Sequence, residues 1–343
     1  MRYEREQLGD GFSVACARSR LAGNGGRTGL PGLAAEMFRL VDTEGALLMR
    51  DTGLSGPHEF ASFLQAIDFH PHSYVGGTTP RTEYAAGVYS ATDLPPDRCI
   101  LLHQEMAYLD EVPDYVAFYC QEPAEHGQKT NLIGDMRTFT EGLPESFTRR
   151  FRGKRARLRR RLPPARESNG VYTDKKSWQE SLGTADRREA EQVARQRGWE
   201  LAWTDDECLE ITQEPARFFR SHPIHGELWC TQAMTFQPES LRLAAERDGR
   251  QADAERLAHT MATAPESLHR MIMEDGTSIT VEECRAWFRM VCDLETPYAL
   301  GRGDVIILDN MLTAHGRSTF TGSRRLFAAL GDRPGTAAAE STR

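Results

Sequence analysis

The stretch LLHQEMAYLD, residues 101–110, places a histidine and a glutamate two positions apart in a run that is typical of a β-strand. Side chains alternate between the two faces of a strand, so His103 and Glu105 are expected to point to the same side. Such a pair can form half of a metal site that a second, distant histidine completes. The same pair would also suit the solvated face of an ordinary sheet. Other residues of the sequence are needed to distinguish a metal site from a solvated face.

The search for a third ligand favours His315. Of the other histidines, two pairs look structural: one flanks a proline that cannot donate to a strand ladder, and the other stands in the turn-like stretch SHPIHGELW (His70 and His72; His222 and His225). His315 instead follows the apolar strand GDVIILDN, and Arg325 stands ten residues later. A guanidinium can hold a carboxylate through two hydrogen bonds, although an exposed charge at a strand end is the simpler interpretation of Arg325.

Composition narrows the function classes. The 343 residues are 39% hydrophobic and 27% charged, and no stretch approaches the roughly 20 apolar residues of a membrane helix. The charged N-terminus does not resemble a secretory signal, so the cytoplasm is the expected location. The net charge of −8 disfavours a nucleic-acid or anionic-membrane binder. Seven scattered cysteines without a Cys-x-x-Cys pair predict reduced thiols.

One local exception to the acidic balance is RRFRGKRARLRRRLPPAR, residues 149–166, which contains ten basic residues and no acid. One interpretation is a solvated helix end followed by an edge strand, protected from pairing by its charges. The alternatives are a docking surface for an anionic partner, such as an acidic carrier protein, or for nucleic acid.

The order of predicted elements indicates one core with an insertion. Strand patterns occur at both ends of the chain and helical patterns in the middle, with capping signals at Asp186 and Thr280. We expect a mobile arm at 1–35, one domain at 36–332 with a helical insertion at about 135–300, and a loose tail at 333–343. The pattern is compatible with a barrel or a jelly roll.

These residues resemble a known family. HQEMAY, PDYVAFYCQEPAEHGQKTNLIGD and GDVIILDNMLTAHGRSTFTGSRR are similar to the three signature blocks of the iron(II)/2-oxoglutarate-dependent oxygenases of the TauD/TfdA superfamily. YVGGTTPR, SWQESLGTADRREAE and SHPIHGELWCTQ resemble segments of the branch that contains the syringomycin aspartyl hydroxylase and related amino-acid hydroxylases. The likeness covers roughly residues 40 to 332. It implies a mainly β fold with helical insertions around a double-stranded β-helix (jelly-roll, cupin-like) core.

The resemblance also implies residue roles. His103, Glu105 and His315 match the iron ligands, and glutamate at this place argues against a halogenase that replaces the carboxylate with a small residue. Arg325 matches the arginine that pairs with the distal carboxylate of 2-oxoglutarate.

Further roles implied by the resemblance concern the cosubstrate and the substrate. Thr130 matches a hydroxyl that supports the cosubstrate, although Gln128 and Lys129 depart from the usual motif. Ala329 stands where taurine dioxygenases hold the sulfonate with an arginine, which disfavours taurine. The residues expected to bind substrate are Arg81, Met106 and Tyr108.

The implied activity uses Fe(II), 2-oxoglutarate and O2 to hydroxylate a C–H bond of an amino acid or amino-acid-derived intermediate of natural-product biosynthesis, either free or tethered to a carrier protein. Desaturation, cyclisation and epoxidation by the same oxidant are alternatives. A metal-dependent cupin isomerase or hydrolase without 2-oxoglutarate, and a non-catalytic binding protein, are the alternative classes.

Overall fold

The computed structural model describes residues 3–9, 12–18, 30–72, 81–125, 128–165 and 177–333. Within these residues the core consists of two antiparallel-rich sheets. The larger sheet contains Tyr3–Gly9 (β1), Phe12–Arg18 (β2), Ala46–Arg50 (β3), His70–Pro71 (β4), Glu83–Ala85 (β5), Val88–Ser90 (β6), Tyr115–Glu122 (β8), Val305–Asp309 (β18) and Arg325–Asp332 (β20). The smaller sheet contains Ile100–His103 (β7), Asn131–Asp135 (β9), Thr296–Tyr298 (β17) and Thr313–Arg317 (β19). The strand order of the larger sheet is β1-β2-β3-β18-β8-β20-β6-β5, with β4 beside β20, and that of the smaller sheet is β17-β9-β19-β7.

The central strands of the larger sheet are apolar on both faces because both faces are covered. In β18, Ile306 and Leu308 join the cluster shared with the smaller sheet, whereas Ile307 packs in a second cluster with two helices. Full burial of one such side chain is worth about 1.5–3 kcal/mol. This double burial explains why the sequence of β18 reads as a continuous apolar run rather than an alternating one.

Helices flank the sheets and form most of the long segment between β9 and β17. The helices are Leu30–Glu44 (α1), Pro57–Ala66 (α2), Met136–Glu141 (α3), Glu145–Phe151 (α4), Trp178–Leu182 (α5), Arg187–Gln196 (α6), Pro238–Arg247 (α7), Gln251–Thr263 (α8) and Val281–Leu294 (α9), with a 3₁₀ turn at Pro265–Ser267. The predicted capping signals are confirmed: Asp186 accepts from two backbone amides at the start of α6, and Thr280 forms a capping box with Glu283 at the start of α9.

The predicted insertion at about 135–300 is not purely helical. It also contains a five-stranded sheet, formed by Arg155–Leu162 (β10), Glu200–Trp203 (β11), Leu209–Thr212 (β12), Ala216–Arg217 (β13) and Arg270–Met273 (β16). The order of this sheet is β11-β12-β10-β13, with β16 beside β10. A two-stranded ribbon is formed by Phe219–His222 (β14) and Gly226–Trp229 (β15). The sheet and α5 and α6 enclose their own cluster around Trp178 and Trp199.

The predicted mobile arm is wrong for the part of it that the structure describes. Tyr3–Gly9 and Phe12–Arg18 form a hairpin, and the second strand pairs in parallel with β3. Alternating burial of Phe12 and Val14 explains the pairing, since these side chains enter the main core. At the other end, Arg333 contacts Asp309 and does not belong to a loose tail; residues 334–343 lie outside the described residues.

The basic run also differs from its prediction. Its strand β10 is central in its sheet, because it pairs with β12, β13 and β16, so the edge-strand interpretation is wrong. Burial alternates strictly along this strand, and its partly exposed arginines meet acids on neighbouring elements: Arg157 with Glu200, Arg159 with Glu210 and Arg161 with Asp206. Five further basic residues of the run also form ion pairs with acids of the chain: Arg149, Arg150, Arg152, Lys154 and Arg155.

Across the described ranges, no helix is long and apolar enough to cross a membrane.

Candidate active site

Two histidines from neighbouring strands of the smaller sheet form the base of the site. His103 ends β7, and His315 is its direct cross-strand partner on β19. Their ring centroids are 4.5 Å apart, which matches the close approach of cross-strand pairs. Gly316 allows this pairing, because a Cβ built there would lie 2.5 Å from the carbonyl oxygen of Ile100. The sequence His-Gly therefore brings the second histidine close to the first.

Glu105 reaches the histidines from a turn rather than from a strand. β7 ends at His103, so the expectation that one strand would carry both residues to the same face is wrong. The turn nevertheless places Glu105 Oε2 3.9 Å from His103 Nε2 and 3.6 Å from His315 Nε2. One ligand atom from each residue lies within 4.8 Å of the other two.

The chemistry of these three side chains suits ferrous iron. Two imidazole nitrogens and one carboxylate oxygen on one side of an ion form the facial triad, which leaves positions open for other ligands. His103 Nδ1 lies 2.9 Å from the carbonyl oxygen of Leu101, which can only accept, so this nitrogen donates and Nε2 is left to face the site. Within the described residues, this is the one cluster of at least three His, Cys, Asp or Glu side chains with such geometry.

Burial and charge set the protonation states of the site. Burial, with a smaller contribution from the neighbouring His315, lowers the pKa of His103 to about 4 against the opposing effect of Glu105. Burial opposes ionisation of Glu105, but the guanidinium of Arg81, followed by the two histidines, outweighs it and holds the pKa of Glu105 below its usual value. At neutral pH His103 is therefore uncharged and Glu105 is ionised, the forms that bind a divalent ion.

Arg81 is the nearest cation to the triad. Its Nη2 donates to Glu105 Oε2 over 2.7 Å, and the side chains of Arg81 and Glu105 are only 6% and 7% exposed. The sequence placed Arg81 among the substrate-binding residues, and the structure brings it to the site. Its neighbours 74–80 in the motif YVGGTTPR lie outside the described residues.

A cleft opens from the triad, with an empty volume of about 560 Å³ when the space at its mouth is included. Its polar wall contains Arg81, Asn131, Arg317 and Arg324 beside the two histidines, and its apolar wall contains Ala91, Ile100, Phe118, Tyr298 and Leu326. The cleft is therefore suited to a small anionic ligand with an apolar part.

The cation that lines the cleft is Arg324, directly before β20, rather than Arg325. Arg325 is exposed and does not line the cleft, whereas Arg324 lines it and donates to Asn131 Oδ1. The reason is the face alternation of β20, in which Leu326 and Ala328 point to the inner core, and a register shift between Arg325 and Leu326 where the strand begins. The structure thus places Arg324, and not the expected Arg325, in the cleft.

Arg324 lacks an anionic partner among the residues that the structure describes. No Asp or Glu carboxylate of that part of the chain lies within 4.0 Å of its guanidinium, and burial, followed by the nearby Arg317, lowers its pKa to about 10. Arg324 thus remains charged at neutral pH although it is partly buried. A cation that is shielded from water without a counter-charge is costly, and an anionic ligand would relieve that cost.

Three other predicted residues do not line the cleft. Met106 and Tyr108 are 2% exposed and belong to the main hydrophobic cluster, where the Tyr108 ring meets Phe236 edge-on. Thr130 is buried, but the cleft is lined by the next residue, Asn131. If Arg324 takes the place expected of Arg325, the position four residues further on is Ala328 instead of Ala329. Neither residue can hold a sulfonate, so the argument against taurine is unchanged.

Sequence reasoning missed Arg324, Asn131 and Arg317. The guanidinium of Arg317 donates to the carbonyl oxygens of Leu94, Pro95 and Arg98 and so fixes a wall of the cleft. The only sequence signal for Arg317 was its position two residues after His315, on the same face of the strand. Arg324 and Arg325 were both candidates for the cation that binds the cosubstrate. Only the direction in which each side chain points from the sheet could distinguish them.

Comparisons with known proteins identify the family of this chain. The model of the family "Taurine catabolism dioxygenase TauD, TfdA family" matches residues 29–330. The chain is 28% identical to dapdiamide synthesis protein DdaC of Enterobacter agglomerans over 294 residues (85% of this chain, 84% of the relative). It is 27% identical to the clavaminate synthase-like protein At3g21360 of Arabidopsis thaliana over 305 residues (85% and 82%).

Among solved structures, AAD-2 in complex with Mn(II) and N-oxalylglycine aligns with a TM-score of 0.52 at 14% identity, covering 97% of this chain and 98% of that one. This likeness confirms the predicted jelly-roll core, and the family model confirms the class of enzyme. The predicted cofactors Fe(II), 2-oxoglutarate and O2 are those of the family. The chain belongs to the TauD/TfdA family and is an Fe(II)/2-oxoglutarate-dependent dioxygenase.

Proposed function

We propose that the enzyme hydroxylates a C–H bond of an amino acid or amino-acid-derived intermediate in natural-product biosynthesis. The observation that carries this proposal is the presence of two cations, the buried side chain of Arg81 and the partly buried Arg324, in the cleft that both histidines of the triad line. One cation suits the cosubstrate and the other a substrate that has a carboxylate. The similarity to a protein named for dapdiamide synthesis supports a role in specialised metabolism.

In this proposal His103, Glu105 and His315 hold the iron, and Arg324, supported by Asn131, binds the distal carboxylate of 2-oxoglutarate. When bound, iron and 2-oxoglutarate supply the oxidising power for the C–H bond, with 2-oxoglutarate converted to succinate and carbon dioxide. The chain's own residues orient the two ligands: Arg317 fixes the loop at 94–98, and Phe118 and Leu326 exclude water from one wall.

Arg81 is proposed to bind the substrate carboxylate. A guanidinium has five N–H donors in a planar fork, so Arg81 can contact Glu105 and a second carboxylate together. This arrangement would place the substrate next to the iron ligand, where a small change in position decides between hydroxylation and desaturation, cyclisation or epoxidation. The absence of a second arginine on the inner face of β20 disfavours a sulfonate.

The proposal is tested by supplying Fe(II), 2-oxoglutarate and O2 with a panel of amino acids, their carboxamides and taurine, and by measuring succinate and product mass. We expect succinate above the substrate-free background for an amino acid, a product that has gained one oxygen, and much weaker turnover of its carboxamide. Arg81→Gln should raise the KM for the acid by about 10-fold or more and remove the preference over the carboxamide. Equal turnover of acid and carboxamide by the native enzyme would contradict the assignment of Arg81.

A substrate tethered to an acidic carrier protein would need a docking surface, and the basic run at 149–166 is the candidate surface. Because its arginines already pair with acids of the chain, we expect the triple variant Arg157→Gln, Arg159→Gln, Arg161→Gln to lose only about 0.2–1 kcal/mol of stability per ion pair and to keep its turnover of a free amino acid. Turnover of a carrier-tethered amino acid should be equally unaffected. A selective loss with the tethered substrate would instead establish this run as the docking surface.

A further inference from the structure

We propose that Asn310 is a positioning residue that fixes the place of Glu105 and thereby completes the metal centre. The inference rests on the proposed ligand set of His103, Glu105 and His315. Asn310 directly follows β18 and is fully buried. It acts on Glu105 through the backbone, and so differs from a residue that touches iron or substrate.

The amide of Asn310 holds both peptide groups of Glu105. Its Oδ1 accepts a hydrogen bond from the backbone N–H of Glu105 over 2.7 Å, and its Nδ2 donates to the carbonyl oxygen of Glu105 over 3.0 Å. The same Nδ2 also donates to the carbonyl oxygen of Pro113 over 2.9 Å. Both amide protons are therefore used, and one side chain ties the start of the turn to its end.

The turn needs such a clamp because no strand ladder fixes it. β7 ends at His103, and the residue after Glu105, Met106, has a φ of 56°. A non-glycine residue in this left-handed region is uncommon and persists only where its surroundings hold it. A second amide contributes, since Gln104 Nε2 donates to the carbonyl oxygen of Trp229 over 2.8 Å.

Asn310 is itself held in place by the residue before it. One carboxylate oxygen of Asp309 accepts from the backbone N–H groups of Met311 and Leu312, at 2.8 and 3.0 Å. The other oxygen lies 3.0 Å from Nε2 of His222, a residue predicted from the sequence to be structural. The clamp is thus anchored to β18 and β14.

The test measures binding of Co(II) by calorimetry without O2 or substrate. We expect Asn310→Ala to weaken Co(II) binding by about 10- to 100-fold, as for other residues that orient a ligand, and Asn310→Ser to weaken it less because a hydroxyl can keep one hydrogen bond. Gln237→Ala is the matched control: it removes a buried amide that donates to backbone carbonyls of Met271 and Ala233, away from the triad. Equal affinities of Asn310→Ala and Gln237→Ala would overturn the inference.

Two further measurements separate the possible failures. Glu105→Gln tests the ligand set: if it binds Co(II) like the native protein, the proposed ligands fail, whereas if it alone loses affinity while Asn310→Ala does not, only the positioning role fails. Hydrogen exchange of the native, metal-free protein is independent of whether the variants fold. We expect the amide of Glu105 to exchange as slowly as the amides of β7, and fast exchange would overturn the clamp.

Discussion

Glu105→Gln should reduce the affinity for Fe(II) or Co(II) by at least about 100-fold and abolish turnover, because the loss of a ligand exceeds the roughly 10- to 100-fold cost of losing a residue that merely orients one. Glutamine is the sharper choice than alanine. It retains an oxygen that can accept from Arg81, whereas alanine would break this buried ion pair and add a stability loss of about 3–5 kcal/mol. Metal binding is measured by calorimetry without O2, and turnover by succinate release.

The matched control for this variant is Glu239→Gln. Glu239 is also a buried glutamate, 4% exposed, and it pairs with Arg242 and Arg285 away from the cleft. We expect this control to lower stability and to leave metal affinity unchanged. Native metal affinity in Glu105→Gln, with succinate still formed, would exclude this carboxylate as a ligand and would require another third ligand for the two histidines.

The residues of the candidate metal site could be proposed from sequence because the two histidines lie beside strong local signals. His103 ends an apolar strand, and His315 follows another after a short polar link. The reasoning reached Glu105 by a wrong route, since strand alternation was expected to align it with His103. The structure uses a turn, which depends on hydrogen bonds from Asn310, more than 200 positions away in the sequence. No local pattern reports such a contact.

The sequence could not show which of the two adjacent arginines lines the cleft, because this depends on strand register. Arg324 and Arg325 have the same chemistry and adjacent positions, so a shift of one residue exchanges the inner and outer face. The irregular pairing between Arg325 and Leu326 is a tertiary feature that periodicity does not reveal. The interpretation of the basic run was wrong for a similar reason. A strand with alternating arginines suggests an edge, but acids on β11, on β12 and in the turn between them pair with these arginines in the centre of the sheet.

Arg324→Ala should weaken 2-oxoglutarate binding by roughly 30-fold or more, since removing one partner of a buried charge pair costs about 2–5 kcal/mol. Arg324 is partly buried, charged at neutral pH and lines the cleft, and Asn131 accepts one of its hydrogen bonds. Arg324→Lys should recover only part of the affinity, because an ammonium lacks the planar fork that pairs with a carboxylate.

Arg325→Ala is the matched control, because it removes the same side chain one residue further on, where it is exposed. We expect its affinity for 2-oxoglutarate to equal that of the native enzyme. Both variants are titrated with 2-oxoglutarate in the presence of Mn(II) and without O2, and metal affinity is measured beside them so that a loss of the ion is not mistaken for a loss of the cosubstrate. The reverse pattern would be weakened 2-oxoglutarate binding in Arg325→Ala and native affinity in Arg324→Ala. It would mean that the strand turns its other face to the cosubstrate and that the face assignment of β20 is incorrect.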